Sequence, residues 1–406
     1  MLLLKTAALC AFVNICTFQY IPLSIVIIRP SRFIKLDTKI EEGLRSAIHN
    51  LSKIVSILDY GQRKITRGRI LKCLPTFKDI ESVEVTENGV DRIMLFERFT
   101  LATRGFVILL QNDKKKCRKP TTLASAKPCG VDSKRPLMGL LNVCTGRRWS
   151  RFFAGVDLFR HELLHSLGFG MILPATSYQR GPHSVIYNWT HPWSMTSKSL
   201  AKRQFLDFSG KALREARMHF GCDTLAGIEA DTANKIHLNE YIYGNELMTP
   251  NLSNVSNPFS YISAAILEET YLGDKQWYRI NRLAIRAEHD ALWYGKGWGC
   301  TFAERSCFEF IAERLRTGRS TFPFCSQRDY EQDRQTKYKV KLSSGQVKSY
   351  KESCWLADVR RDIADNGLLA YTLSEKSYSS LNHRIGSTAA FRFCPVASVT
   401  LSGIIR

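Results

Sequence analysis

Arg160-His161-Glu162-Leu163-Leu164-His165-Ser166-Leu167-Gly168-Phe169 is the stretch on which the fold of this 406-residue chain turns. It reads as part of a helix in which Leu158, Leu164 and Leu167 can face a core. On that helix His161 and His165 lie one turn apart and project from one face as a pair of neutral imidazoles. That spacing suits two ligands of a single zinc ion. Glu162 cannot share their line, but it lies close enough to hold an activated water and take its proton, as a general base must. Three fixed positions also arise by chance in ordinary helices, so further ligands have to be found.

Zinc hydrolases hold the metal with three protein groups and keep a fourth position for water. A Glu on a following helix is one source of the third group, yet no Glu occurs from Leu163 to Arg214. The compact pattern H-E-x-x-H-x-x-G-x-x-H keeps its glycine as Gly168, which lets the helix end and the chain turn back. Met171 stands where its last histidine belongs. The third ligand therefore comes from farther away, and residue type does not rank His183, His191, His219 and His237. His219 ends a helical run from Ser209, a candidate cap, to Phe220, stopped by Gly221, so it reads as a structural residue. His183 and His191 lie among Gly, Pro and Trp in an apparent loop.

Three further stretches carry a resemblance. Ala216-Arg217-Met218-His219-Phe220-Gly221-Cys222, the later His237, and Gly244-Asn245-Glu246-Leu247-Met248-Thr249 resemble the leishmanolysin peptidases, metzincins with a long insertion before the third histidine. Cys129-Gly130-Val131-Asp132 with Arg135-Pro136, and Gly299-Cys300 to Cys307, extend the likeness over roughly residues 70 to 310. The resemblance implies that His237, eight residues before Asn245, is the third zinc ligand, and that Met248 forms a Met-turn, a packing floor and not a ligand. It implies an α+β zincin fold: an active-site helix below a mixed sheet whose edge strand pairs with extended substrate, plus a smaller disulfide-containing C-terminal domain. It further implies a zinc metalloendopeptidase with one Zn2+ per chain, acting on protein or peptide substrates in a setting such as cell adhesion or tissue invasion.

The chain departs from the family in two places. His237-Leu238-Asn239-Glu240-Tyr241 lacks the aromatic and basic residues common after the third histidine. Family members also carry a cysteine-bearing propeptide, whereas here the catalytic region begins soon after the N-terminus, so either regulation differs or the sequence is an incomplete version of a longer product, the second being the preferred reading. The competing expectation is a catalytically silent zincin-fold surface or adhesion protein. Glu162 beside a full ligand set argues against it, because a structural zinc site has no need of a base.

The remaining sequence supplies context. The net charge of +21 is dispersed, with short runs at Lys114-Lys115-Lys116 and Arg147-Arg148, and no nucleic-acid module accompanies it. Solvated surface is the preferred reading and nucleic acid is not an expected partner. Residues 1–30 are largely apolar and read as a signal peptide or signal anchor, the second giving membrane association. Ten of the twelve cysteines lie beyond that segment, a number that suits five disulfides in a secreted protein. Five of the ten precede residue 299 and five follow it, so full pairing requires at least one bridge across that point. Sequons at Asn50, Asn188, Asn251 and Asn254 mark candidate glycosylation sites.

Apolar residues at three- and four-residue steps predict a helix from Thr38 to Tyr60, and residues 93–96, 105–110 and 139–143 read as buried strands. Residues 31–170 then form an N-terminal catalytic subdomain ending in the zinc helix. Residues 171–299 form a central subdomain with the third ligand and the Met-turn: a loop-rich insertion, one helix, and a further helix over 260–271. Residues 300–406 form a Cys-rich C-terminal domain with strands near 338–340 and 389–391, ending without the apolar tail of a lipid-anchor signal.

Overall fold

Side chains of alternate parity along two strands enter two different cores, which makes the central sheet a layer buried on both faces. The computed structural model describes residues 19–324, leaving out 33–35, 60, 119–121, 133–134, 146–148, 150–154, 173–182, 191–195, 204, 208–209, 232–235, 253–255, 271–275, 306 and 322, and adds the strands 336–341, 347–353 and 398–399. Its first ten strands are β1 (Tyr20–Pro22), β2 (Ile25–Pro30), β3 (Val55–Leu58), β4 (Arg63–Thr66), β5 (Ser82–Glu87), β6 (Val90–Leu95), β7 (Thr100–Thr103), β8 (Phe106–Gln111), β9 (Ala124–Asp132) and β10 (Arg135–Val143). Six of them form a mixed sheet in the order β6-β5-β2-β8-β10-β9. β2, β8 and β10 run parallel, and the other three neighbours are antiparallel. β6 and β9 are the two edges.

Ile25, Ile27, Phe106, Ile108, Leu110, Leu141 and Val143 enter one core with Ile40, Leu44, Ala47 and Leu51 of the helix Thr38–Ile54 and with Phe159, Leu163, Leu164 and Leu167. Val26, Ile28, Val107, Leu109, Met138 and Leu140 enter the second core, closed by Ile65, Ile70, Leu74, Phe77, Phe96, Phe99 and Leu101. The helix Gly155–Ser166 is thus packed on the sheet by its leucine stripe, leaving its histidine stripe to be covered by something else. Among the described residues no helix is long and apolar enough to cross a membrane.

Several elements differ from the expectations above. Part of the segment read as a leader is built into the fold: β1 lies within it, and β2 is a central strand whose Val26 and Ile28 are fully buried. Ile25-Val26-Ile27-Ile28 is apolar because both faces of that strand are covered, a pattern that mimics a secretory h-region; residues 1–18 lie outside the described residues. The predicted helix to Tyr60 ends at Ile54, because Val55 and Ile57 are β-branched and alternate, and β3 pairs with β1 and with Tyr278–Ile280. The insertion read as loop carries an antiparallel hairpin, His183–Thr190 with Thr196–Arg203. The following helix is Lys211–Phe220, whose first amide donates to the Glu269 carboxylate; Ser209 lies outside the described residues.

Three disulfides join the described residues: Cys73–Cys129, Cys117–Cys144 and Cys222–Cys300. The last crosses residue 299, as the cysteine count requires. The first two hold each end of the edge-strand region, Cys129 lying on β9 itself and Cys144 just past β10.

Candidate active site

His161 and His165 are both buried, with their Nε2 atoms 3.1 Å apart. Each ring is oriented through its other nitrogen. Nδ1 of His161 donates to the carbonyl of Leu247 at 2.7 Å, and Nδ1 of His165 donates to the carbonyl of Phe169 at 3.0 Å. With both Nδ1 atoms protonated in neutral rings, the two Nε2 lone pairs confront one another. The turn that brings Phe169 back begins at Gly168, whose φ of +112° is open to glycine and closed to most side chains.

His237 completes the cluster. Its ring centroid lies 5.2 Å from that of His161 and 4.7 Å from that of His165, and one ligand atom from each of the three falls within 4.8 Å of the others. The segment carrying it is fixed by the main chain. The amide of Asp231 donates to the His237 carbonyl at 2.9 Å, and the His237 amide donates to the Asp231 carboxylate at 3.2 Å. The Leu238 amide then donates to the carbonyl of Met248, at 2.9 Å, tying the His237 segment to that of Met248. Met248 is fully buried.

Burial, and secondarily the neighbouring His237, push the pKa of His161 down to about 3, against the upward pull of the Leu247 carbonyl. Burial also holds His165 well below the ordinary range. Both rings are therefore neutral, the form that binds metal. Two lone pairs facing at 3.1 Å without a proton between them are both open to a cation. Two nitrogens each about 2.0–2.1 Å from a tetrahedral zinc lie about 3.3–3.4 Å apart, so the donor set and its spacing fit that ion.

Glu162 is buried beside this cluster. Burial raises its pKa to about 8, opposed by a hydrogen bond from the Ala126 amide and by the charge of Lys116. Ala126 belongs to β9, so the strand that meets the histidine helix is the antiparallel edge of the sheet. The sequence did not identify that edge, and a backbone amide leaves no residue-type signal by which it could have. The carbonyls of Leu247 and Phe169 escaped notice for the same reason.

The remaining candidates lie elsewhere. His219 is buried at the end of its helix, where Nε2 donates to the carbonyl of Tyr294 at 2.8 Å, and Gly221 caps the helix in the left-handed region. It is a structural residue, as expected. His183 starts the insertion hairpin, and His191 lies outside the described residues. Of the sequons, Asn50 is on the first helix, Asn188 is in the hairpin and Asn254 lies outside the described residues. Asn251 is exposed but its Nδ2 donates to Glu240 at 2.6 Å.

A family model described as leishmanolysin matches residues 103–355. The chain is 30% identical over 308 residues to a leishmanolysin-like peptidase of Caenorhabditis elegans, covering 66% of this chain and 43% of that protein. It is 29% identical over 249 residues to one of Drosophila pseudoobscura pseudoobscura, covering 52% and 35%. A counterpart in Drosophila melanogaster is 28% identical over the same shares of both chains. This chain therefore spans less than half the length of the curated relatives it matches.

Proposed function

Because this chain belongs to the leishmanolysin family, we propose that His161, His165 and His237 hold one zinc ion and that Glu162 is the general base of a metalloendopeptidase acting on protein substrates. The observation that carries the reading is the confrontation of two neutral, carbonyl-oriented imidazoles beside a third histidine and a buried carboxylate. A bound zinc ion would supply Lewis acidity, making water a nucleophile near neutral pH and polarising the scissile carbonyl. The protein's own groups do the rest. The carbonyls of Leu247 and Phe169 keep the two Nδ1 protons away from the ligand atoms, and Met248 closes the floor. With the charge of a bound ion favouring its ionised form, Glu162 would take the proton of the attacking water and return it to the leaving amine. β9 offers an antiparallel edge on which an extended peptide can lie as an added strand, directly over the helix that carries Glu162.

The domain division at residues 170 and 299, the glycosylation of the sequons and the role of Met248 belong to the same proposal. So does passage through the secretory pathway, which the three disulfides support. The adhesion-only alternative leaves Glu162 without a role, and a buried carboxylate is costly to keep without one. Elemental analysis of the natively produced protein, with a casein cleavage assay on wild type and Glu162→Gln, tests the proposal. About one zinc per chain in both, as a three-ligand site holds, with cleavage by wild type alone, is the expected result. Equal cleavage by Glu162→Gln would remove Glu162 from the mechanism, and a zinc-free wild type would remove the ligand set.

A further inference from the structure

His161 owes its orientation to a main-chain carbonyl, and that carbonyl belongs to a turn built around one buried carboxylate. Glu246 is fully buried. Its Oε2 accepts the Met248 amide at 2.6 Å, while Oε1 accepts the Ser260 amide at 3.1 Å and the Ser260 hydroxyl at 2.7 Å. Its own carbonyl accepts the Thr249 hydroxyl at 2.8 Å. Leu247 therefore stands between two anchored residues. Its amide donates to the Pro258 carbonyl at 3.0 Å, and its carbonyl receives Nδ1 of His161 at 2.7 Å. The circuit closes through Asn257, whose amide and Nδ2 donate to Asp157 on the histidine helix at 3.0 and 3.2 Å.

Packing alone does not call for this arrangement. A leucine or methionine would fill the same space without the several kcal/mol that desolvating a carboxylate costs. The Met248 amide and the amide and hydroxyl of Ser260 converge on the two oxygens instead, and the turn they fix is the one that faces a candidate ligand. We propose that Glu246 is a positioning residue for the metal centre: its carboxylate sets the turn so that the Leu247 carbonyl holds His161 as the Nδ1–H tautomer, with Nε2 directed at the metal. The inference rests on the zinc reading above, but the tautomer it predicts exists in the metal-free protein.

Glu246→Gln in the full chain is the test. Glutamine keeps the volume and one acceptor, but its amide group meets the N–H of Met248 or of Ser260 donor to donor. The expected variant is folded by circular dichroism and keeps the His165 tautomer in 15N-histidine spectra of the metal-free protein. His161 loses its single Nδ1–H pattern, and zinc affinity in a chelator competition falls about 10- to 100-fold, the usual cost of losing an outer-shell partner. A folded variant with the wild-type His161 pattern and wild-type affinity overturns the proposal. Should Glu246→Gln fail to fold, Ser260→Ala removes one donor from the same carboxylate and is expected to weaken zinc several-fold; unchanged affinity and tautomer there overturn it equally. If wild type itself takes up no zinc, the zinc reading fails, and the tautomer comparison alone decides the role of Glu246.

Discussion

Gly170 lies face to face with the backbone of Ile236: an added Cβ would come within 2.7 Å of the Ile236 carbonyl carbon and 3.0 Å of its Cα. The residue after the contact is His237, so the end of the histidine helix sets the position of the third proposed ligand directly. Backbone cannot step aside as a flexible side chain can, and Gly170 also has a φ of +69°. Gly170→Ala is therefore expected to lower stability by about 2–4 kcal/mol and zinc affinity by about tenfold or more, the combined effect of strain and a displaced ligand. Chemical denaturation and a chelator competition measure the two. Wild-type values for both would mean that the 170 and 236 segments do not meet.

Asp231 holds His237 from the other side. One carboxylate oxygen accepts the His237 amide and lies 3.7 Å from its Nδ1, an electrostatic contact rather than a hydrogen bond. Asp231→Asn keeps the shape and removes the charge. The expected outcome is a fold of unchanged melting temperature to within a few degrees and zinc bound about 10-fold more weakly, since outer-shell carboxylates raise the basicity of a ligating imidazole. Isothermal titration of the metal-free protein would expose the difference, and identical affinities would assign Asp231 to backbone capping alone.

The sequence made the centre of this molecule readable and left its surroundings obscure, for reasons the residues make plain. His161, Glu162 and His165 follow one helical repeat, so their proximity is a property of the local chain. Strands β8 and β10 were visible because burial on both faces makes Phe106–Leu110 and Leu137–Leu141 continuously apolar. The same rule hid β2, since an apolar run near the N-terminus suits a leader as well as a central strand. His237 lies 76 positions beyond His161, and no periodicity spans that distance. Glu246 and Asp231 were legible only as acidic residues, because what they grip is backbone.

Arg160, one residue before the first histidine, ties that helix to the chain beyond Met248. It is 5% exposed, and its guanidinium takes both oxygens of Glu288 at 3.0 and 2.9 Å and Asp157 at 3.4 Å. Glu288 in turn accepts the Phe259 amide at 2.9 Å. Removing one partner of such a network leaves charges without their counterpart, which costs about 3–5 kcal/mol where burial is complete; partial exposure of Glu288 lowers the expectation to about 2–3. Urea denaturation of Arg160→Met should register that loss. Arg160→Lys should recover little of it, because a lysine's single nitrogen cannot reach Glu288 and Asp157 together as Nη2 and Nη1 of the guanidinium do. Full recovery by lysine would reduce the interaction to simple charge.

Glu240 is 3% exposed, and burial raises its carboxyl from the ordinary value to about 7, partly offset by the hydrogen bond from Asn251. In the unfolded chain the same group ionises near 4.5. Between those values the folded state keeps a proton that the unfolded state has released, so stability falls as pH rises from about 4.5 to about 7, by roughly 3 kcal/mol in all at 1.36 kcal/mol per unit. His219, pushed down to about 4 chiefly by burial, works in the opposite sense: it stays neutral in the fold while the unfolded chain protonates below about 6.5, so stability falls as pH drops through that window. Glu240→Gln separates the two. The variant keeps the volume, removes the ionisation, and is expected to match wild type near pH 4.5 while exceeding it by roughly 2–3 kcal/mol at pH 8, read by denaturant unfolding at each pH. Parallel stability curves for the two proteins across that range would mean that Glu240 ionises in the fold as it does in the unfolded chain.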